Sequence, residues 1–224
     1  TTISGSVIAP AFIGDGSQLT NLPTINSPLS LNDTSGTGMQ SPTSTASGIW
    51  STAIGYSAEA SNQVAVAFGD NTTASGSRST AMGINTLASG EYATSLNGDT
   101  IASGDYSLAT GASSIASGGA STALGNYTTA SGDFSTTMGN STIASDYAST
   151  VIGQYNLVGS TVNDSEGTFN TDSPVFVIGN GTFNNRSDAV TVLFDGTTTI
   201  AGDLSINSDM RLKANIISLG STLS

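Results

Sequence analysis

Histidine and cysteine are both absent from this 224-residue chain, and charged residues make up only 9% of it. Without histidine a Ser-His-Asp catalytic triad cannot exist. Without cysteine there is no thiol chemistry and no disulfide, so rigidity must come from ladders of hydrogen bonds. The aspartates are scattered and lack the dense spacing of a Ca²⁺-binding repeat. We therefore expect no metal site and no cofactor.

Positive charge is scarce as well, with 4 Lys and Arg against 16 Asp and Glu, a net charge of -12. This balance argues against nucleic acid and anionic membranes as partners and leaves sugars and other neutral or basic ligands open. No apolar run is long enough to span a membrane, so we expect no direct membrane insertion of this segment. The first residues do not resemble a signal peptide, and we expect the chain to be a piece of a longer protein.

A 14-residue repeat runs through the middle of the chain and is its dominant feature. A second column, mostly glycine, follows the first nine residues later, as in Gly55 and Gly69. A short fixed period of this kind is typical of stacked coils. The triplet Ala-Ser-Gly, or a degenerate copy of it, begins at Ala46, Ala60, Ala74, Ala88, Ala102, Ala116, Ala130 and Ala144.

Each copy reads as two short strands and two turns, because its glycines recur where the backbone must turn tightly or reach positive φ, with Thr, Ile and Val between them. Small residues alternate with larger ones, so Ala109 and Ala123 would fill the inside of a very thin coil. Eight coils at a strand spacing of about 4.8 Å would give a rod about 38 Å long. The sequence therefore predicts an all-β parallel roll.

A column of larger apolar residues faces outward from such a coil and would be an exposed ladder on a monomer. Three ladders meeting on a threefold axis would bury it, which predicts a homotrimer. The alternative is a solenoid with a fatter core that hides the same column inside. The column consists of Ile54, Phe68, Met82, Leu96, Leu124, Met138 and Ile152.

Composition and period divide the chain into four parts. We expect residues 1–40 to form a β connector, with two short strands around Gly14-Asp15-Gly16, and residues 41–158 to form the repeat head. Residues 159–206 carry two stronger β runs that fit a neck or prism. Residues 207–224 form a distinct final segment.

The repeats resemble the YadA-type head of trimeric autotransporter adhesins, with its Ser-x-Ala-(Ile/Leu)-Gly core seen in Ser51-Thr52-Ala53-Ile54-Gly55. The resemblance covers residues 46–158. It implies a left-handed parallel β-roll, a homotrimer, and display at the end of a surface fibre used for attachment.

Two further resemblances lie at the ends of the chain. The segment from Phe12 to Leu22 is similar to one found in phage-tail-fibre-like surface proteins, and the segment from Ser208 to Ile216 is similar to the start of the intramolecular chaperone of endosialidases and tail spikes. The latter family cuts itself off with a Ser-Lys dyad, which implies Ser208 as nucleophile and Lys213 as general base. Alternatively, Ser208 or Asp209 caps a short helix whose apolar residues pack on the trimer axis. We favour the cap for this chain and expect self-cleavage in a longer parent.

Two places are candidates for ligand binding. One is an aromatic column at the fifth repeat position, formed by Trp50, Tyr92, Tyr106 and Phe134, whose exposed faces could stack on sugar rings. The alternative is that these rings simply cover their neighbours. The other is the less repetitive region from Phe169 to Asn185, which could carry recognition or form a capping neck.

These observations favour an extracellular, non-enzymatic fibre head that adheres to a cell-surface, glycan or matrix ligand, on a bacterial surface or a phage virion. Its most specific form is a mosaic adhesive trimer of the predatory-bacterium type or a phage tail fibre. A purely structural spacer is the main alternative. Ice binding through the regular threonine column, which includes Thr52, Thr80 and Thr122, is a third hypothesis.

Overall fold

Each 14-residue copy forms one coil of a β-solenoid, with a five-residue strand, a two-residue strand and two turns. The structure, a computed structural model, describes residues 30–31, 38–158 and 167–203. The longer strands are β4 (Thr52–Tyr56), β6 (Val66–Asp70), β8 (Thr80–Ile84), β10 (Thr94–Gly98), β12 (Leu108–Ala112), β14 (Thr122–Asn126), β16 (Thr136–Asn140) and β18 (Thr150–Gln154). The short strands are β3 (Thr45–Ala46), β5 (Glu59–Ala60), β7 (Thr73–Ala74), β9 (Leu87–Ala88), β11 (Ile101–Ala102), β13 (Ile115–Ala116), β15 (Thr129–Ala130) and β17 (Ile143–Ala144).

The coils stack into two parallel sheets, a long-strand sheet and a short-strand sheet. Every strand pairs with its equivalent one repeat later, so that Ala109 lies beside Ala123 and Ile101 beside Ile115. Residues of the same repeat position therefore form straight columns along the rod. The predicted all-β fold of stacked 14-residue coils is confirmed.

The inside of each coil holds almost nothing larger than threonine. Alanines from both sheets, such as Ala88 and Ala123, are fully buried and fill the inside of the coils. Buried serines and threonines, such as Ser121 and Thr128, complete the inner columns. Because this interior is made of small side chains, the alternative of a fatter core that hides the larger apolar column is wrong.

The two glycine columns have different physical causes. Gly125, at the end of a long strand, adopts a φ of 135°, a conformation that L side chains rarely adopt. Gly104, in an Ala-Ser-Gly triplet, does not have positive φ; there a Cβ atom would lie 2.0 Å from the carbonyl oxygen of Gly118 in the next coil. The chain bends at Gly104, whose carbonyl oxygen accepts a hydrogen bond from the N–H of Ser107 at 3.2 Å, in agreement with the predicted turn. The close approach of the next coil is a second requirement for glycine, which the sequence did not predict.

The long-strand sheet extends beyond the repeats at both ends. At one end β2 (Met39–Gln40) pairs parallel with β4 and antiparallel with β1 (Ser30–Leu31). At the other end β19 (Pro174–Asn180) pairs parallel with β18, followed by antiparallel β20 (Asp188–Leu193) and β21 (Thr198–Ile200). The break in the period after Gly153 therefore does not end the sheet.

Side-chain hydrogen bonds fasten the strands after the break to the last coils. The amide of the buried Asn156 accepts from the backbone N–H of Ile143 at 2.8 Å and donates to the carbonyl oxygen of Ile143 at 2.9 Å. Nη1 of Arg186 donates to the carbonyl oxygens of Ser141 at 3.0 Å and Asn156 at 3.1 Å. The Asn156 bonds thus fix the chain where it leaves β18, and the Arg186 bonds hold the turn between β19 and β20 against the last coils of the solenoid.

Candidate functional site

The outward face of the long-strand sheet carries the apolar ladder expected from the sequence. Parallel pairing aligns Ile54 with Phe68, Phe68 with Met82 and Met82 with Leu96. Farther along the rod, Leu124, Met138 and Ile152 lie in the same column. Phe68 is 49% exposed and Met82 and Met138 are each 42% exposed, while the other members are half-buried. A single chain thus presents an apolar strip to solvent, interrupted at one position, Thr110.

Two further residues lie in this column and were not part of the predicted set. Thr110 fills the gap between Leu96 and Leu124, and Ile178 on β19 extends the column beyond Ile152. The tripeptide Val-Ile-Gly occurs at both Val151 and Val177. This repeated tripeptide was the signal in the sequence that could have identified β19 as a further strand of the long-strand sheet.

A second outward column of apolar residues, on the short-strand sheet, was not predicted from the sequence. Its members are half-buried and include Leu87, Ile101, Ile115 and Ile143 in one register. They stand immediately before the Ala-Ser-Gly triplets, or before the degenerate triplet at Ala144. Both sheets therefore carry a column of apolar residues on their outward faces. Of these two columns, only the long-strand column has apolar side chains that are close to half exposed.

The predicted aromatic column lies at one corner of the coil. Trp50, Tyr92, Tyr106 and Phe134 all adopt left-handed backbone conformations, with φ between 56° and 60°. The ladder of backbone hydrogen bonds holds this strained corner, because the N–H of Tyr106 donates to the carbonyl of Glu91 at 2.7 Å. Left-handed φ at large residues was not foreseen from the sequence.

Neighbouring rungs of this corner partly cover each other. The rings of Tyr92 and Tyr106 stack with centroids 5.0 Å apart, and the Arg78 guanidinium lies 5.2 Å above the Tyr92 centroid. Arg78 also forms an ion pair with Glu91 at 3.2 Å. One face of Tyr92 thus carries Arg78 and the other carries Tyr106, which favours a covering role for this ring.

The region from Phe169 to Asn185 also packs through its aromatic residues. Phe169 lies edge-on to Phe194, with ring centroids 4.9 Å apart, and Phe183 lies edge-on to Tyr155 at 6.3 Å.

Nearby, burial raises the pKa of the Asp188 carboxyl above its ordinary value, although this group accepts a hydrogen bond from the N–H of Leu157 at 2.9 Å.

Several sequence predictions fall outside the part of the chain that the structure describes. Ser208 and Lys213, the predicted cleavage dyad, lie there, as does the segment around Gly14-Asp15-Gly16. Within residues 30–31, 38–158 and 167–203, no helix is long and apolar enough to cross a membrane. No group of three or more acidic side chains within these ranges is arranged to hold a metal ion.

Comparison with protein families supports the resemblance seen in the repeats. The model of the YadA head domain repeat, which spans two copies, matches residues 46–72, 74–96, 102–128 and 116–141. Each match lies within the solenoid of parallel coils. A comparison with curated proteins gave no match. The solenoid is therefore built of YadA-like head repeats.

Proposed function

We propose that this chain is a head segment of a homotrimeric, extracellular fibre adhesin, in which three solenoids join through their long-strand sheets. The observation that carries the proposal is the outward apolar strip formed by Ile54, Phe68, Met82, Leu96, Leu124, Met138 and Ile152. Burying the remaining half of each side chain would contribute about 1 kcal/mol per residue. The match to YadA head repeats supports the same assembly.

The proposed assembly can be tested with a matched pair of variants. Leu124→Asp would place three carboxylates against one another on the threefold axis, where burial and like charge both oppose association. We expect this variant to dissociate, whereas Ile115→Asp on the short-strand sheet should keep the assembled mass. The measurement is light-scattering mass after size exclusion. Equal masses for Leu124→Asp and the unchanged chain would contradict the proposal.

Adhesion would arise from three equal copies of a rigid surface that engage a cell-surface, glycan or matrix ligand together. The rod would display these copies away from a bacterial cell surface or a phage virion. The resemblance to trimeric autotransporter adhesins implies an adhesive rather than enzymatic role. Binding of the intact protein to cells, matrix proteins and a glycan array tests this proposal, and absence of binding to all three would favour a structural spacer.

The spacer alternative is favoured by the uniformity of the rungs, since the same strand lengths and register recur from β4 to β18. Ice binding has less support. The outward threonine column is interrupted by Val66 and Leu108 and lies on the same face as the apolar strip. Thermal hysteresis of the purified protein at high concentration would test it, and unchanged ice growth would remove it.

Self-cleavage is a separate proposal for a longer chain that carries the complete C-terminal domain. There, Ser208 would act as nucleophile and Lys213 as general base, provided that its surroundings lower its pKa towards neutrality. Ser208→Ala should leave the longer chain uncut on a denaturing gel. Normal processing of that variant would refute the assignment.

A further inference from the structure

A cleft of about 520 Å³ lies where the last coils meet the strands after the period breaks. Thr129 of β15 and Ile143 of β17 form its floor, and the turn that contains Phe183 and Arg186 forms one wall. This volume is in the range of pockets that hold small organic ligands, about 300–1,000 Å³. The cleft exists because segments far apart in sequence converge here.

Aromatic rings stand around this cleft with much of their surface uncovered. Phe183 is 82% exposed and Tyr127 is 61% exposed, and both line the cleft together with the half-buried Tyr155. Phe183 and Tyr155 meet in a T-shaped contact and are not stacked in parallel, and Phe183 stays largely exposed. Exposed aromatic faces that border one concave site suit a flat or chair-shaped ring with an apolar C–H surface.

A cation is fixed beside these rings. The Arg186 guanidinium lies 5.8 Å from the centroid of Tyr155, and its Nη1 donates to two backbone carbonyls. Carbonyl oxygens accept hydrogen bonds but leave the positive charge uncompensated. In the described part of the chain the ion pair Arg78–Glu91 engages the other arginine, and no carboxylate lies within ion-pair distance of Arg186. Nη2 and Nε of Arg186 make no hydrogen bond to a described residue, so the guanidinium has further donors for an anionic ligand group.

We infer that this cleft binds a carboxylated sugar. The carboxylate would accept hydrogen bonds from Arg186, the ring would lie against Tyr127 or Phe183, and the hydroxyl of Thr129 could bond sugar hydroxyls. With a net charge of -12, the chain repels densely charged polyanions more strongly than a ligand with one carboxylate per ring. Two sources share this chemistry, a uronic acid in a polysaccharide and a nonulosonic acid at the end of a glycan.

This inference rests on the proposed adhesive role, for which it names the ligand class. The cleft borders the outward face of the short-strand sheet, whereas the proposed trimer contact uses the long-strand sheet. Trimerisation would therefore leave three copies of the cleft open, and binding to a surface that displays the sugar would gain from avidity.

The test uses the intact protein and three probes, a glucuronic-acid disaccharide, sialyllactose and neutral lactose, with binding followed by saturation-transfer NMR and by immobilised-glycan assays. Binding of either acidic probe without binding of lactose supports the inference and identifies the source. Binding should weaken as NaCl rises from about 0.05 to about 0.5 M, because salt screens the charge contact. Equal binding of lactose and the acidic sugars, or no binding of either acidic probe, overturns it.

Variants then locate the site. Tyr127→Ser keeps a residue already found at the equivalent left-handed position in Ser113 and Ser141, and Phe183→Ser removes a highly exposed ring. Each should weaken binding of the acidic sugar by about tenfold. Arg186→Lys keeps the charge but loses the planar fork, and should weaken binding by at least about tenfold.

The matched control is Tyr56→Ser, an exposed tyrosine outside the cleft, which should bind as the unchanged protein does. Circular dichroism and light-scattering mass accompany every variant. Lost binding with unchanged fold and mass in the cleft variants supports the inference, and unchanged binding in all three overturns it. A monomeric mass for the unchanged protein would refute the trimer proposal and would leave the sugar-binding inference standing.

Discussion

The close approach of successive coils at the Ala-Ser-Gly triplets makes a strong and local prediction. In Gly104→Ala, the new Cβ atom would lie 2.0 Å from the Gly118 carbonyl oxygen, about 1.4 Å short of the 3.4 Å at which ordinary contact begins. Because the obstacle is backbone, the coils must separate. This separation would lengthen or break the hydrogen bonds from the N–H groups of Ser103 and Gly104 to the carbonyl of Ala116, at 2.9 and 3.3 Å.

Loss of these contacts should cost about 3 kcal/mol or more of unfolding free energy per chain. Gly98→Ala is the matched control, since a Cβ there meets nothing within 4 Å and Ala112 occupies the next rung of its column. That control should be neutral or more stable by up to about 1 kcal/mol. Urea unfolding followed by circular dichroism gives both values.

Limited proteolysis adds a positional readout, because a solenoid is stabilised mainly between neighbouring coils. Cleavage of Gly104→Ala should begin in the coils on either side of residue 104. Equal stability and equal protease resistance for Gly104→Ala and Gly98→Ala would refute the explanation of the triplet glycine.

Two further predictions concern the junction after the repeats. Asn156→Ala leaves the N–H and C=O of Ile143 without their partner and should destabilise the protein by about 2–4 kcal/mol in urea unfolding; a change below about 0.5 kcal/mol would contradict this. Asp188→Asn should stabilise the protein at neutral pH, because burial raises the pKa of Asp188 and opposes its charged form. Below the folded-state pKa the native carboxyl is protonated, so the advantage of the variant should shrink as the pH falls towards 3.8, the ordinary value. An advantage that grows on acidification would contradict the assignment.

The solenoid was predictable because its repeat is strict and its physics is local. Small residues at every second position, such as Ser121 and Ala123, require a thin interior, and they leave Leu124 outside. The same alternation placed the outward apolar strip correctly. These inferences needed only the strand period of two and the size of the side chains.

What could not be read from the sequence depends on contacts between coils or between distant segments. The role of Gly104 becomes visible only when the Gly118 carbonyl is placed beside it. Left-handed φ at Trp50 and Tyr92 runs against ordinary residue preferences and is held by the ladder of backbone hydrogen bonds. The cleft brings Tyr127 next to Phe183 across a break in the period, so no local pattern could predict it.

In the proposed trimer the apolar strip of one chain is covered by two other copies, and the molar mass of the intact protein in solution shows whether this assembly forms. For a chain of 22.2 kDa, light scattering should give about 66.6 kDa, three times the chain mass, at micromolar concentration. A folded species of 22.2 kDa, with the β-sheet circular dichroism of the solenoid, would contradict the claim.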